Sequence, residues 1–489
     1  LQPLAPFPAA SRCKMKAMSR IMRLAWILVF GVAICAGISF GARGIQAQNA
    51  LDREFQSAVA HYNAGQFEDA VRELEALAKR QPASFDTQEL LALVYSAQSK
   101  ERAAQPHFEK AVQLKPDSGA ARANLAVNLS KLGENGAAEA QFKKAIALEP
   151  HNYEANHDFG EFYVRAGNLK AAIPYLEEAG RLNPSAYDNG YDLALAYEQT
   201  SQMKSAERLI HQMLATKDTA ELHNLLAEAE EKLGNYVAAA NEYERAAHLD
   251  PSESNIFDWG SELLLHHTVD PAIQVFSQGV EHYPDSPRLA VGLGIAYFLR
   301  GSYDDAVKAL LKATDLTPAD ARAYYFLSKA YDMAPGQADD VIQHFERFAQ
   351  LQPQDARAHF YYAMSLWKGK QAQNSGAWVD QVESLLKKSA SLDPSFPDAH
   401  LQLANLYSQE RKYADAVPEY QRALQLDPKV ADAHYRLGQA YVHLDKKELA
   451  QKEFQLHKQL YEKHLVEIDE QRTKIRQFIY SMKGEHAGS

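Results

Sequence analysis

Residues 119–150 read GAARANLAVNLSKLGENGAAEAQFKKAIALEP, and they decide the fold. Ala126 is the eighth residue of this stretch, Ala138 the twentieth and Phe142 the twenty-fourth. Gly133 is suited to end a first helix in a left-handed conformation. Pro150 forbids the second helix from continuing. The stretch therefore predicts two antiparallel helices. Small side chains at places eight and twenty let them approach to about 8–9 Å, and large ones at seven, eleven and twenty-four fill the space beside them.

The same spacing runs outward in both directions. Proline stands at 82, 116, 150, 184, 251, 284, 318, 353, 394 and 428, mostly 34 residues apart. The double step from Pro184 to Pro251 has Lys217 where a proline belongs. Counted from each start, the eighth residue is small in all twelve copies, from Ala58 through Gly160 and Gly294 to Gly438. The twentieth is alanine in ten of the twelve, with Val341 and Val382 as the exceptions. The twenty-fourth is always large and apolar, and the eleventh is tyrosine in seven copies, among them Tyr95, Tyr163, Tyr407 and Tyr441. Each helix pair leaves an apolar face that only the next pair can bury, so stability is built by stacking neighbours.

These residues and this period resemble the tetratricopeptide repeat (TPR) family over residues 51–461. The resemblance implies an all-α fold, an α-solenoid in a right-handed superhelix of about twelve TPR helix-turn-helix repeats. It also implies a concave groove that binds peptide segments or partner proteins. Departures are local. Repeat one has Ser57 at a place usually large, repeat five lacks its closing proline, and repeat ten carries an insertion at about 368–379, whose Asn374, Ser375 and Gly376 read as a loop.

Before the repeats, Lys16, Arg20 and Arg23 precede an uncharged run from Leu24 to Ala42. This is the pattern of a secretory signal or membrane anchor over residues 1–47, with a cleavage position after Ala47. Met15 reads as the start, which would leave residues 1–14 untranslated. The expected location follows: periplasmic or secreted after cleavage, otherwise anchored through residues 24–42 in the inner membrane and facing outward. The net charge of −11 disfavours nucleic acid as a partner. Cys13 and Cys35 both precede the repeats, so the body lacks a disulfide, a thiolate nucleophile and a cysteine metal site.

Searching for chemistry yields little. No phosphate-binding glycine loop and no HExxH pattern occurs, and the repeats leave no length for a catalytic domain. Neither enzyme activity, a cofactor nor a metal is expected. His266 and His267 read as turn or surface residues. His359, His400 and His434 share one place in successive repeats and read as packing residues. Asn128-Leu129-Ser130 matches a glycosylation triplet, but Leu129 is a core position, so burial in a helix is expected.

The sequence thus reads as a non-catalytic scaffold for protein or peptide partners, with a bacterial envelope as its expected location. The alternative is a self-associating structural protein that uses an amphipathic, capping C-terminal helix over 462–489, with Leu465, Ile468, Ile475 and Ile479 in its stripe. In the family the groove is lined by places two, five, nine and twelve of each first helix. Carried over, repeats four to six supply a polar lining that includes Glu154, His157, Glu161, Asp188, Glu198, Glu221, Asn224, Glu228 and Glu231. Repeats seven to ten supply an apolar one: Phe257, Leu264, Val291, Ile295, Phe298, Tyr325, Phe360, Met364 and Trp367. An apolar run there is not required by the fold, so it marks the expected partner site.

Overall fold

A computed structural model of the chain describes residues 42–334, 336–370 and 377–462. Every regular element among them is a helix, and the chain divides into two compact units, residues 1–216 and 217–489. The division falls beside Lys217, the residue that replaces the periodic proline.

Unit 1 holds five helix pairs: α1 (Ala42–Asn63) with α2 (Phe67–Arg80), α3 (Phe85–Ala97) with α4 (Glu101–Leu114), α5 (Gly119–Lys131) with α6 (Asn135–Leu148), α7 (Tyr153–Arg165) with α8 (Leu169–Leu182), and α9 (Tyr187–Gln199) with α10 (Met203–Leu214). Unit 2 continues the alternation with α11 (Ala220–Leu233), α12 (Tyr236–Leu249), α13 (Glu253–Leu265), α14 (Val269–His282), α15 (Pro287–Arg300) and α16 (Tyr303–Leu316). It goes on with α17 (Ala321–Met333), α18 (Ala338–Leu351), α19 (Ala356–Lys370), α20 (Ala377–Leu392), α21 (Pro397–Gln409), α22 (Tyr413–Leu426) and α23 (Ala431–His443). Residues 447–462 are helical and complete a twelfth pair with α23. The fold is the expected all-α solenoid of helix pairs.

The expected leader lies outside the described residues except for 42–47, which open α1. No helix among the described residues is long and apolar enough to cross a membrane. The C-terminal stripe from Leu465 onward also lies outside them, as does the loop at Asn374–Gly376. The insertion is partly helical: α19 runs through Lys370 and α20 begins at Ala377.

The packing register follows the sequence. Ala58, Ala92, Ala126, Ala194 and Ala227 at place eight are fully buried, as are Ala138, Ala172 and Ala306 at place twenty. What closes over the eighth residue is the large one at twenty-four. A Cβ added to Gly160 would lie 2.5 Å from Leu176, and one added to Gly294 would lie 2.5 Å from Leu310. At these glycines even a methyl group would press on the large residue, and where alanine stands it is fully buried, so this place is never large.

Among the described residues, the turns between paired helices are left-handed. Gly133 and Gly301 take φ of 81° and 86°. Ser99, Ser201, His267, Gln337, Arg411 and Asp445 take φ between 56° and 64° at equivalent turns. Stacking therefore imposes the conformation even on residues with a Cβ, at about 1 kcal/mol each. Between pairs, a residue two after the proline opens the next helix. Ser84, Ser118, Asn152, Ser286 and Asp320 each accept a backbone N–H with their side chains. A residue six after the proline then donates to its carbonyl: Asn156 to Pro150 at 2.9 Å, Tyr324 to Pro318 at 3.1 Å, His359 to Pro353 at 3.0 Å. Stop, cap and clip occupy seven residues and fix the step between repeats.

Candidate functional site

The nine apolar groove residues all lie in unit 2. Tyr325, 45% exposed, is the one that stands open; the other eight are half-buried. Phe257 and Leu264 pack on the core around Phe276, and Phe298, Phe360 and Trp367 pack on the core that runs from Ala306 to Ala450. Phe360 meets Phe396 edge-on at 5.1 Å, and Arg288 lies over the Phe257 ring at 4.5 Å. Much of the apolar run is therefore shared with the repeats' own packing.

Met364 and Trp367 do more. They form one wall of a cavity of about 630 Å³ in unit 2. Gln402, Asn405 and Gln409 from α21 line it, with Arg436, Gln439 and His443 from α23. Asp332 and Lys368 line it too. Gln409, Arg436 and Gln439 are exposed, and Asn405 is held by Tyr420 Oη at 2.7 Å. An apolar wall facing several carboxamides suits an extended peptide. The wall takes a side chain, and the carboxamides both donate to and accept from the peptide backbone. The sequence reading stopped at repeat ten because it followed apolar residues. Asn405 and Gln439 are both ninth residues of their repeats, and the ninth-place rule applied to repeats eleven and twelve would have found them. A depression of about 650 Å³ in unit 1 is lined by α10 and Ala215 alone, so nothing converges on it.

The polar lining expected for repeats four to six is split between the units. In unit 1, His157, Asp158 and Glu161 bring possible metal-ligating atoms within 4.8 Å of one another on α7. His157 Nδ1 lies 3.2 Å from Asn189 Oδ1, and Asp158 and Glu161 have partners of their own. In unit 2, Glu228 and Glu231 on α11 adjoin Asp258 on α13. Burial raises the carboxyl of Glu228 above the usual range, and Asp258 and Glu231 push it further. Burial likewise raises Glu231, with Glu262 adding to it. Burial raises Asp258 too, against the pull of Arg288. Glu228 remains open to water although protein surrounds it, as a residue low in a concave face would.

The histidines serve the fold. His434 is buried, with Nδ1 2.6 Å from Glu453 and Nε2 3.2 Å from the Pro428 carbonyl; His400 Nδ1 lies 2.6 Å from Glu419. His267 occupies a left-handed turn, and His266 stacks on Tyr236 at 4.1 Å. Asn128 is buried and donates to the Glu101 carbonyl at 3.1 Å, so its triplet lies inside a helix pair.

Family models described as TPR or tetratricopeptide repeat match residues 55–119 and 123–187, 163–229, 294–333 and 405–445, and 431–464. Together they cover more than half of the chain. No curated protein matches it in sequence. Similar solved structures include the C-terminal part of a TPR repeat-containing protein from Cytophaga hutchinsonii. It is 17% identical, covers 56% of this chain and 99% of its own, and has a TM-score of 0.41. Yeast Tom70 is 15% identical over 90% of this chain and 100% of its own, with a TM-score of 0.35. YrrB, a TPR protein with an unusual peptide-binding site, is 22% identical over 38% of this chain and 96% of its own, with a TM-score of 0.33. The chain belongs to the tetratricopeptide repeat family.

Proposed function

We propose that the chain is a non-catalytic interaction scaffold, acting outside the cytoplasm, that takes an extended segment of a partner protein on the first helices of unit 2. The observation that carries this is the cavity where Met364 and Trp367 face Gln402, Asn405, Gln409 and Gln439. It offers a side-chain pocket and backbone-pairing groups. The histidine–carboxylate pairs near it are spent on joining helices within repeats. The basic, then apolar, N-terminus supports export.

One experiment tests both parts. The chain from Met15, tagged at its C-terminus, is expressed in a bacterium and recovered by fractionation with its cross-linked partners. Recovery from the envelope or periplasm is expected, and confinement to the cytoplasm ends the export reading. The variants Tyr325→Ala and Gln439→Ala, combined, alter exposed residues and should spare the fold. They should reduce partner recovery at least tenfold, about 1.4 kcal/mol. A folded double variant that keeps every partner at full affinity ends the assignment of this face.

A further inference from the structure

His157 on α7 has its ring held from two sides. Tyr153, one turn before it, stacks on the ring at 5.7 Å with the planes 5° apart. On another side, Nδ1 lies 3.2 Å from Oδ1 of Asn189 on α9. Asn189 is buried, and its Nδ2 donates to the Leu176 carbonyl at 2.9 Å. That bond fixes the amide so that its oxygen faces the ring, and a carboxamide oxygen only accepts. The proton of the contact therefore sits on Nδ1, and the neutral ring carries its lone pair on Nε2.

A metal-ligating histidine is held in this way. It donates its other N–H to a fixed acceptor, which sets the tautomer, orients the ring and raises the basicity of the ligating nitrogen. Two carboxylates stand beside it. Glu161 follows at i+4 on the same helix face, and Asp158 is the next residue along the chain. One possible ligand atom from each of the three lies within 4.8 Å of the other two. Donors bound to one zinc ion at about 2.0–2.2 Å are at most about 4.4 Å apart, so small side-chain rotations close the set. Asp158 is buried, and His157 and Glu161 are half-buried. Both carboxylates have partners of their own, as oriented ligands do. The stack does not require this set. At the same places repeat three has Ala123, Asn124 and Val127, and repeat five has Tyr191, Asp192 and Leu195.

We propose that His157 Nε2 and the carboxylates of Asp158 and Glu161 bind a divalent transition-metal ion, with zinc the best match. An imidazole beside two carboxylates is a donor set that zinc accepts, whereas calcium and magnesium take oxygen ligands. Three protein ligands leave one position of a four-coordinate ion open. His157 and Glu161 stand at groove places five and nine, so that position faces the groove of unit 1. Water fills it, or a donor group of a bound protein. The site is separate from the cavity in unit 2 and does not rest on the reading built there.

The test uses the full chain, stripped with EDTA and titrated with zinc chloride against a chromogenic chelator. The parent should bind zinc with micromolar affinity or tighter, and zinc should raise its unfolding temperature. His157→Ala and Glu161→Gln should each weaken binding at least about tenfold and abolish the rise. Circular dichroism in EDTA checks that each variant folds, and Glu161→Gln carries the test alone if His157→Ala does not. His211→Ala removes an exposed histidine elsewhere in unit 1 and should change the affinity by less than about twofold. Equal affinity in the parent and in folded Glu161→Gln, or an equal loss in His211→Ala, means an adventitious ion only and overturns the site. Displacement of zinc by a large excess of magnesium overturns it too, because the carboxylates alone would then hold the ion. If zinc does not bind at all, His157 is simply an ion-pair partner of its two acids and the metal site falls.

Discussion

In repeats three to five of unit 1, acids and tyrosines complete one another. Glu139 lies 2.8 Å from Lys143 and accepts from Tyr163 Oη at 2.9 Å. Glu178 accepts from Arg181 at 2.6 Å with His151 at 2.8 Å, and these two partners hold its carboxyl down at about 2. Tyr197 donates to Glu177 at 2.6 Å. In repeats six and seven of unit 2 the same residue types are less well matched: Glu228, Glu231 and Asp258 are raised chiefly by burial, and Asp258 accepts only from Ser254, at 3.5 Å. The paired acids sit on second helices and clip one repeat to the next. The raised ones sit on first helices, where Glu228 and Glu231 make no ion pair among the described residues. Acids of one composition are thus divided by helix face into those paired across the stack and those that burial raises.

The comparison holds only if both units obey one packing rule, and this is the step with the largest expected effect. Ala172→Leu in unit 1 and Ala306→Leu in unit 2 both enlarge a fully buried place twenty. Each should cost on the order of 1–3 kcal/mol. Because a solenoid is coupled through neighbours, limited proteolysis should cut first within the altered repeat. Equal stability of either variant with the parent would mean that the two units do not share a register.

A smaller effect separates two tyrosines, Tyr163 and Tyr243. Tyr163→Phe removes a donor to a carboxylate and should lower stability by about 0.5–1 kcal/mol, since the half-exposed Glu139 keeps Lys143 and regains part of the loss from water. Tyr243→Phe removes a hydroxyl with no hydrogen bond to a described residue and should leave stability unchanged within a few tenths of a kcal/mol. Urea unfolding of the two variants measures both. A cost at Tyr243 as large as that at Tyr163 would show a hidden partner for its hydroxyl and dissolve the contrast.

The register of the repeat was legible because it rests on hard constraints. Proline at 150 cannot continue a helix, and Gly160 leaves no room for a methyl group beneath Leu176. The left-handed turns at Ser99 and Arg411 were not legible, because there the stack imposes a conformation that the residue itself disfavours. The groove was half legible. Periodicity puts Phe298 and Phe360 on first helices, but it cannot say how much of each ring a neighbouring repeat covers, and both turn out half-buried. The acidic stretch showed as Glu228 and Glu231, while Asp258 and Glu262 joined it only once α13 lay beside α11. Tyr243 was read as core filler, which its ring is; nothing in a sequence tells whether a hydroxyl finds a partner.

The smallest effect is the most diagnostic, because its sign differs between the two regions. Glu178 is held below its ordinary value, so its contribution is present above the unfolded pKa and is lost as pH falls through the folded one. Glu228, Glu231 and Asp258 are held above theirs, so the folded state binds more protons than the unfolded state between the two values. Stability from these three therefore declines as pH rises through that window, and the full cost remains at neutral pH. Glu228→Gln with Asp258→Asn should accordingly stabilise unit 2 near pH 7, by only a fraction of a kcal/mol (about 0.5) because water screens the open Glu228. The gain should shrink as pH falls and vanish only below about 3, where the carboxyls are protonated in both states. Thermal unfolding of parent and variant across that range measures it. A gain that grows as pH falls, or a loss at neutral pH, would show that these acids support the stack after all and that the two regions do not differ in kind.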